Sequence, residues 1–162
     1  MTPDHDHDHD LDAHAEPDTQ RPQPARASEA DRLRARELAL AIADALDETK
    51  CENIIVLGVH EFSQLTDYIV IASGASERQL RTAAHKAMDA GEAIGHTPYS
   101  REGEHTVGWV VIDFIDVMVH VFEPHTRALY DLEMLWGDAE RVPFTPSAAN
   151  APGGEAGPRD DG

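Results

Sequence analysis

The sequence predicts an α/β (α+β) fold, a mixed sheet of about four to five strands with three helices. Three observations carry that expectation. Four short runs, residues 53–59, 67–72, 107–113 and 117–122, are rich in Val and Ile, as strands are. Two longer segments have a helical period and a capping residue in front. A third helical segment closes the ordered part of the chain, giving at most the order α-β-β-α-β-β-β-α.

The first helix is expected over residues 29–46, with Ser28 as N-cap and Asp31 three residues on, an imperfect capping box. Leu38, Ile42, Ala45 and Leu46 share one face, while Arg32, Arg34, Arg36 and Asp44 decorate the others. NIIVLGV and DYIVIA follow as strands, the first continuous and β-branched, as a strand buried on both sides would be. The second helix has the clearest start, Ser76 and Gln79 forming a capping box in S-E-R-Q. Leu80, Ala84, Ala87, Gly91 and Ile94 give it a narrow stripe of mostly small residues, and Gly95 with Pro98 ends it. VGWVVID and VMVHVF are the next strands, joined tightly around Phe114 and Ile115, and Tyr99 with its neighbours can add an edge strand. A helix over residues 126–136 ends the domain, with Gly137 as its stop.

Both ends of the chain read as tails. Residues 1–27 carry Asp-His alternation followed by QRPQPARAS, too little apolar surface to offset the entropy of ordering. Residues 140–162 are rich in Pro, Gly and Ala. The domain between them, residues 28–139, is about 110 residues, enough for one two-layer core. Between Asp31 and Asp138 stand 19 Asp and Glu against 9 Lys and Arg, so the core itself is acidic. Such a surface repels phosphate backbones; no direct nucleic-acid groove is expected, and a basic protein is the easier partner. With one cysteine, no signal peptide and no long apolar run, the chain is expected to be soluble and cytoplasmic, without a membrane span.

Strand alternation sends Val117, Val119 and Val121 one way, and Met118, His120 and Phe122 the other. Its neighbour sets Val110 and Ile112 against Trp109, Val111 and Asp113. Either three helices cover both faces, or they cover one and leave Trp109, Met118, His120 and Phe122 partly open as a contact surface. We favour the second.

The run E-G-(x5)-W-V-V-I-D-F-I-D-V-M-V-H-V-F, then R-A-L-Y-D-L-E-M-L-W, with T-D-Y-I-V-I-A-S-G-A-S-E-R-Q upstream, resembles the ribosomal silencing factor (Iojap-like) family over nearly all of residues 35–139. The resemblance implies a nucleotidyltransferase-like topology, a homodimer, and no catalysis. It also implies binding to the large ribosomal subunit through the ribosomal protein L fourteen, which blocks subunit joining and represses translation when nutrients are scarce. The matching positions are Thr66, Asp67, Gly74, Ser76, Arg78 and Gln79, then Glu102, Gly103, Trp109, Asp113, Asp116, His120 and Phe122. Arg127, Tyr130, Leu132, Glu133, Leu135 and Trp136 complete the set. From these we assign Glu102, Gly103, Trp109, Asp113, His120 and Phe122 to the partner surface, since carboxylates steer basic partners and Trp is a frequent anchor.

One departure stands out. The family reads D-x-G-D where this chain has Asp113-Phe114-Ile115-Asp116. Positive φ is poor for a β-branched residue, so either the turn is rebuilt or it never needed positive φ.

Other constellations have plainer readings. Asp113 and Asp116 at a strand end, with Gly74-Ala75-Ser76, distantly suggest a Mg²⁺-dependent nucleotidyltransferase, but the set lacks a third carboxylate at convincing spacing. Turn aspartates and a helix N-cap explain them more simply. His5, His7, His9 and His14 could ligate a transition metal, yet a flexible acidic tract binds weakly. His120 reads as a partner or dimer contact, with a satisfied core histidine next and a catalytic base last. Cys51 reads as an inert, semi-exposed thiol. Tyr130, Leu132, Leu135 and Trp136 read as core packing, Trp136 with a place at the dimer seam. No cofactor and no metal are expected.

Overall fold

The computed structural model describes residues 21–103 and 107–146. The histidines of the Asp-His tract and most of the Pro/Gly-rich tail lie outside them. Ser28 opens helix α1 (Glu29–Glu48) with both halves of the capping box: its hydroxyl accepts from the Asp31 N–H, and the Asp31 carboxylate accepts from the Ser28 N–H. Strands β1 (Glu52–Gly58) and β2 (Tyr68–Ser73) follow, then helix α2 (Glu77–Ala93). Ser76 caps α2 through the Gln79 N–H, but the Gln79 side chain reaches Ala75 N–H (2.6 Å) rather than that of Ser76. Its amide nitrogen donates to the Thr49 carbonyl (2.9 Å), tying the start of α2 to the end of α1.

The rest comprises β3 (Ser100–Glu102), β4 (Trp109–Asp113), β5 (Val117–Phe122), two short helices α3 (Pro124–Tyr130) and α4 (Leu132–Leu135), and β6 (Glu140–Arg141). Among the described residues the sheet has six strands in the order β3-β4-β5-β2-β1-β6, one or two more than expected. All neighbours are antiparallel except the central pair β2–β5. The extra strand is β6, which pairs with Leu57 and Gly58 and is followed by buried Val142, whose N–H reaches the Val56 carbonyl. Two residues amid Pro- and Ala-rich sequence carry too little pattern to be read as a strand.

Helices α1 and α2 lie on one face of the sheet. Ala35, Leu38, Ala39, Ile42 and Leu46 of α1, with Leu80, Ala83, Ala84 and Ala87 of α2, cover Val56, Val70, Ala72, Val110, Ile112, Val117, Val119 and Val121. Small residues let the helices approach the strands closely. At Gly91 a Cβ would run into the Phe114 ring, which is buried there. Cys51 is buried in this core rather than semi-exposed, and burial raises its thiol pKa.

The opposite face carries a second, smaller cluster of Leu57, Val59, Ile69, Ile71 and Phe122, against which Trp109, Met118, Leu132 and Trp136 pack partly. It is covered by the closing segment, which is two helices rather than one. Asp131 adopts a left-handed conformation (φ 49°) and breaks the segment. Of the expected packing set, Leu132 and Trp136 pack against the sheet, Tyr130 is half exposed (51%) with its ring on Trp109 and Phe122, and Leu135 is exposed (69%). Arg127 holds the segment down: its guanidinium donates to Ser73 Oγ (2.8 Å) and to Glu133 (2.8 and 3.1 Å).

The β4–β5 turn corrects both alternatives for Ile115. The turn is not rebuilt and does need positive φ: Ile115 sits at φ 74°. Its N–H donates to Asp113 Oδ1 (2.8 Å), while Phe114 N–H bonds the Val117 carbonyl (2.9 Å) and buries its ring, so neighbours on both sides impose the conformation. A β-branched residue there costs about 1–3 kcal/mol. Ile115→Gly should therefore raise stability by about 1 kcal/mol, after the flexibility that glycine adds to the unfolded chain, read as a higher urea midpoint at unchanged m-value. An unchanged or lowered midpoint would show that the conformation is unstrained.

Candidate functional site

The assigned residues divide between two ends of the sheet. Trp109 opens β4 and pairs in register with Phe122, the last residue of β5, while Val111 pairs with His120. Period-two alternation therefore sets Trp109, His120 and Phe122 side by side on the face away from α1 and α2. The Trp109 ring stacks on Phe122 (5.0 Å between centroids) and meets Tyr130 at 4.5 Å; His120 lies parallel to Phe122 at 6.0 Å. Trp109 Nε1–H donates to His120 Nδ1 (3.2 Å). Phe122 is fully buried at the base, so it supports Trp109 and Tyr130 from behind rather than forming the surface.

Glu102 pairs with Val111 on the edge strand β3 and is exposed. Gly103 follows at φ 112°, where a side chain would strike the Trp109 carbonyl oxygen and Val110 Cα. The chain passes so close to β4 that only glycine fits, which makes Gly103 a backbone requirement of this edge. Exposed Leu129 and Met134 add apolar area on α3 and α4, beyond the residues assigned from sequence. The signal was present in R-A-L-Y-D-L-E-M-L-W, but an uninterrupted helix would have buried a different subset.

Asp113 lies at the far end of β4, beside Asp116 and Asp67, and not with the aromatic rings. It is buried and held by Arg21, whose guanidinium forms a two-pronged pair with it (2.8 and 2.9 Å). The carboxyl of Asp116 is pushed up by burial; the Ala25 N–H opposes that shift, and the Asp67 charge adds to it. Residues 21–27, read from sequence as tail, thus lie against the domain. Among the described residues, no group of three or more His, Cys, Asp or Glu is arranged to hold a metal ion, and no helix is long and apolar enough to cross a membrane.

Burial lowers the pKa of His120 to about 4. The neutral ring, accepting from Trp109, is the folded form; unfolding restores a pKa near 6.5. The unfolded state therefore binds more protons between those values, and this stabilisation, complete above pH 6.5, is lost as pH falls towards 4. Between pH 7 and 4.5 the unaltered chain should lose on the order of 2 kcal/mol more than His120→Gln does, measured by urea titration at each pH. Parallel pH profiles would refute the assignment.

Among the described residues these features define a six-stranded α+β domain with a half-open aromatic group at one end of the sheet and a cluster of carboxylates at the other. Residues 32–160 match the family described as ribosomal silencing factor during starvation, and the chain belongs to that family. It is 38% identical over 99 residues to the ribosomal silencing factor of Halalkalibacterium halodurans, covering 61% of this chain and 85% of the relative. The corresponding Bacillus subtilis protein is 37% identical over 97 residues, with 60% and 82% covered. A crystal structure of a Chromobacterium violaceum protein superposes with a TM-score of 0.62 at 31% identity, over 71% of this chain and 95% of that one.

Proposed function

We propose that this protein binds the large ribosomal subunit through the ribosomal protein L fourteen, sterically prevents the small subunit from joining, and so represses translation in the cytoplasm without catalysing a reaction. The observation that carries the reading is membership of the silencing-factor family across the whole folded domain. The surface supports it. Trp109 and His120, backed by Phe122 and edged by Glu102 and Gly103, offer a rigid aromatic anchor beside a carboxylate, and Leu129 and Met134 extend the apolar area. An acidic core suits a basic ribosomal protein. Asp113 takes part through the acidic end of the sheet. The protein forms a homodimer.

For a nucleotidyltransferase reading the fold supplies a third carboxylate in Asp67, but Asp113 is occupied by Arg21, Asp116 by the Ala25 N–H and Asp67 by Arg26. Sucrose-gradient sedimentation of mixed subunits tests the proposal. The protein should travel with the large subunit and lower the joined-ribosome peak. Equal occupancy of joined ribosomes, or an unchanged joined peak with the protein at the top of the gradient, would overturn it.

A further inference from the structure

At the acidic end, Asp67 precedes β2, Asp113 ends β4 and Asp116 precedes β5, so three strands deliver carboxylates to one edge of the sheet. Residues 21–27 cross that edge. Arg21 grips Asp113 through Nε and Nη2, and the Ala25 N–H donates to Asp116 (2.9 Å). Arg26 Nε reaches Asp67 Oδ1 at 2.5 Å, while its Nη2 donates to the carbonyls of Ser63 (2.7 Å) and Thr66 (3.3 Å). A carboxylate flanked by two carbonyls, and a second carboxylate met by two parallel N–H groups, suit a planar guanidinium with its fan of donors; an ammonium would not fill them.

The segment that fills this edge is held lightly. RPQPARA forms neither helix nor strand, has no large apolar side chain to bury, and leaves the Arg21 and Arg26 side chains 20% and 28% exposed. Asp67, by contrast, is almost wholly buried, and among the described residues its Oδ2 has no hydrogen-bond partner. A buried carboxylate oxygen without a donor is costly, so the site has unused capacity that a fuller ligand would satisfy. Phosphate backbones are repelled here, whereas basic protein segments are drawn in.

We propose that this edge of the sheet is an arginine-binding site for a basic segment of a protein partner, and that residues 21–27 occupy it in cis as a strap which that segment displaces. The inference rests on the ribosome-binding reading only for the partner's basic character. The strap has the advantage of its tether, an effective concentration on the order of millimolar, which a competitor overcomes by adding contacts elsewhere. Pro22 and Pro24 limit the freedom the strap regains on release, which keeps it close to its seat.

The test needs no ribosomes. A blocked, fluorescently labelled peptide, RPQPARAS, is titrated into the full chain and into its Arg21→Gln, Arg26→Gln double variant, with anisotropy as the readout. The variant should bind the peptide saturably and at least tenfold more tightly than the unaltered chain, and a peptide with citrulline at both arginines should not bind. Absence of binding to the folded variant up to several millimolar, equal binding to both chains, or equal binding of the citrulline peptide would overturn the proposal. Should the variant fail to fold, the side-chain Nε–H resonances of Arg21 and Arg26 in the unaltered chain serve instead. Several millimolar RPQPARAS, but not its citrulline form, should move them to free-arginine positions; resonances that stay in place would overturn it equally. Failure in the sedimentation experiment with success here would leave the site standing and remove only the ribosome.

Discussion

Phe122→Ala should lower the stability of the protein by about 3–5 kcal/mol, a large part of the 5–15 kcal/mol that holds a typical domain folded. Phe122 is fully buried, pairs across the sheet with Trp109 and Ser73, and carries the rings of Trp109 and Tyr130 on its own. Truncation removes the transfer free energy of the ring and leaves a void that Trp109, already engaged with His120, cannot fill without giving up that hydrogen bond. Urea denaturation followed by Trp fluorescence would read the loss. A change below about 1 kcal/mol would mean that α3 collapses freely into the space, contrary to its anchoring by Arg127 on Ser73.

Trp109→Ala should weaken association with the large subunit by about 30-fold or more, the level expected for truncating a central aromatic anchor. The Trp109 ring is only part-buried in the free protein, fixed from below by Phe122, from the side by Tyr130 and through Nε1 by His120. Little side-chain freedom is left to lose on binding, which is the condition for an effective hot spot. Binding would be measured by quantitative sedimentation with large subunits, at a temperature where melting shows the variant still folded. Retention within about threefold of the original affinity would move the contact surface away from this face.

The elements that could be read from sequence are those whose signals are local. Ser28 and Ser76 announce their helices because capping is settled within four residues, and VMVHVF alternates cleanly because one face is buried and the other half open. The aromatic group was legible for the same reason, since period-two spacing and hairpin register place Trp109, His120 and Phe122 together. Other features depended on contacts distant in sequence. Asp113 is assigned to the partner surface as a family position whose carboxylate can steer a basic partner; strand length separates it from Trp109, and Arg21, 92 positions away, decides its surroundings. The left-handed Asp131 lies inside an otherwise helical pattern and is visible only once Arg127 is seen fastened to Ser73. Ile115 shows the reverse of a missed signal: its chemistry argued against positive φ, and Asp113, Phe114 and Val117 together outweighed it.

The parallel pairing of β2 with β5 bears on how the protein comes into being. Strands β1 and β2 form one antiparallel pair and β4 and β5 another, each closed by residues near in sequence, while β2 and β5 meet only after the chain from Ser73 to Val117 has been laid down between them. Long-range parallel pairing forms late, because the entropy of closing the loop must be met before its contacts contribute. The aromatic group and the acidic cluster both straddle that join: Ser73 beside Phe122 at one end, Asp67 against Asp116 at the other. A chain emerging during synthesis therefore has neither the aromatic group nor the acidic cluster until β5 has been made, so neither can engage anything before the fold is nearly complete.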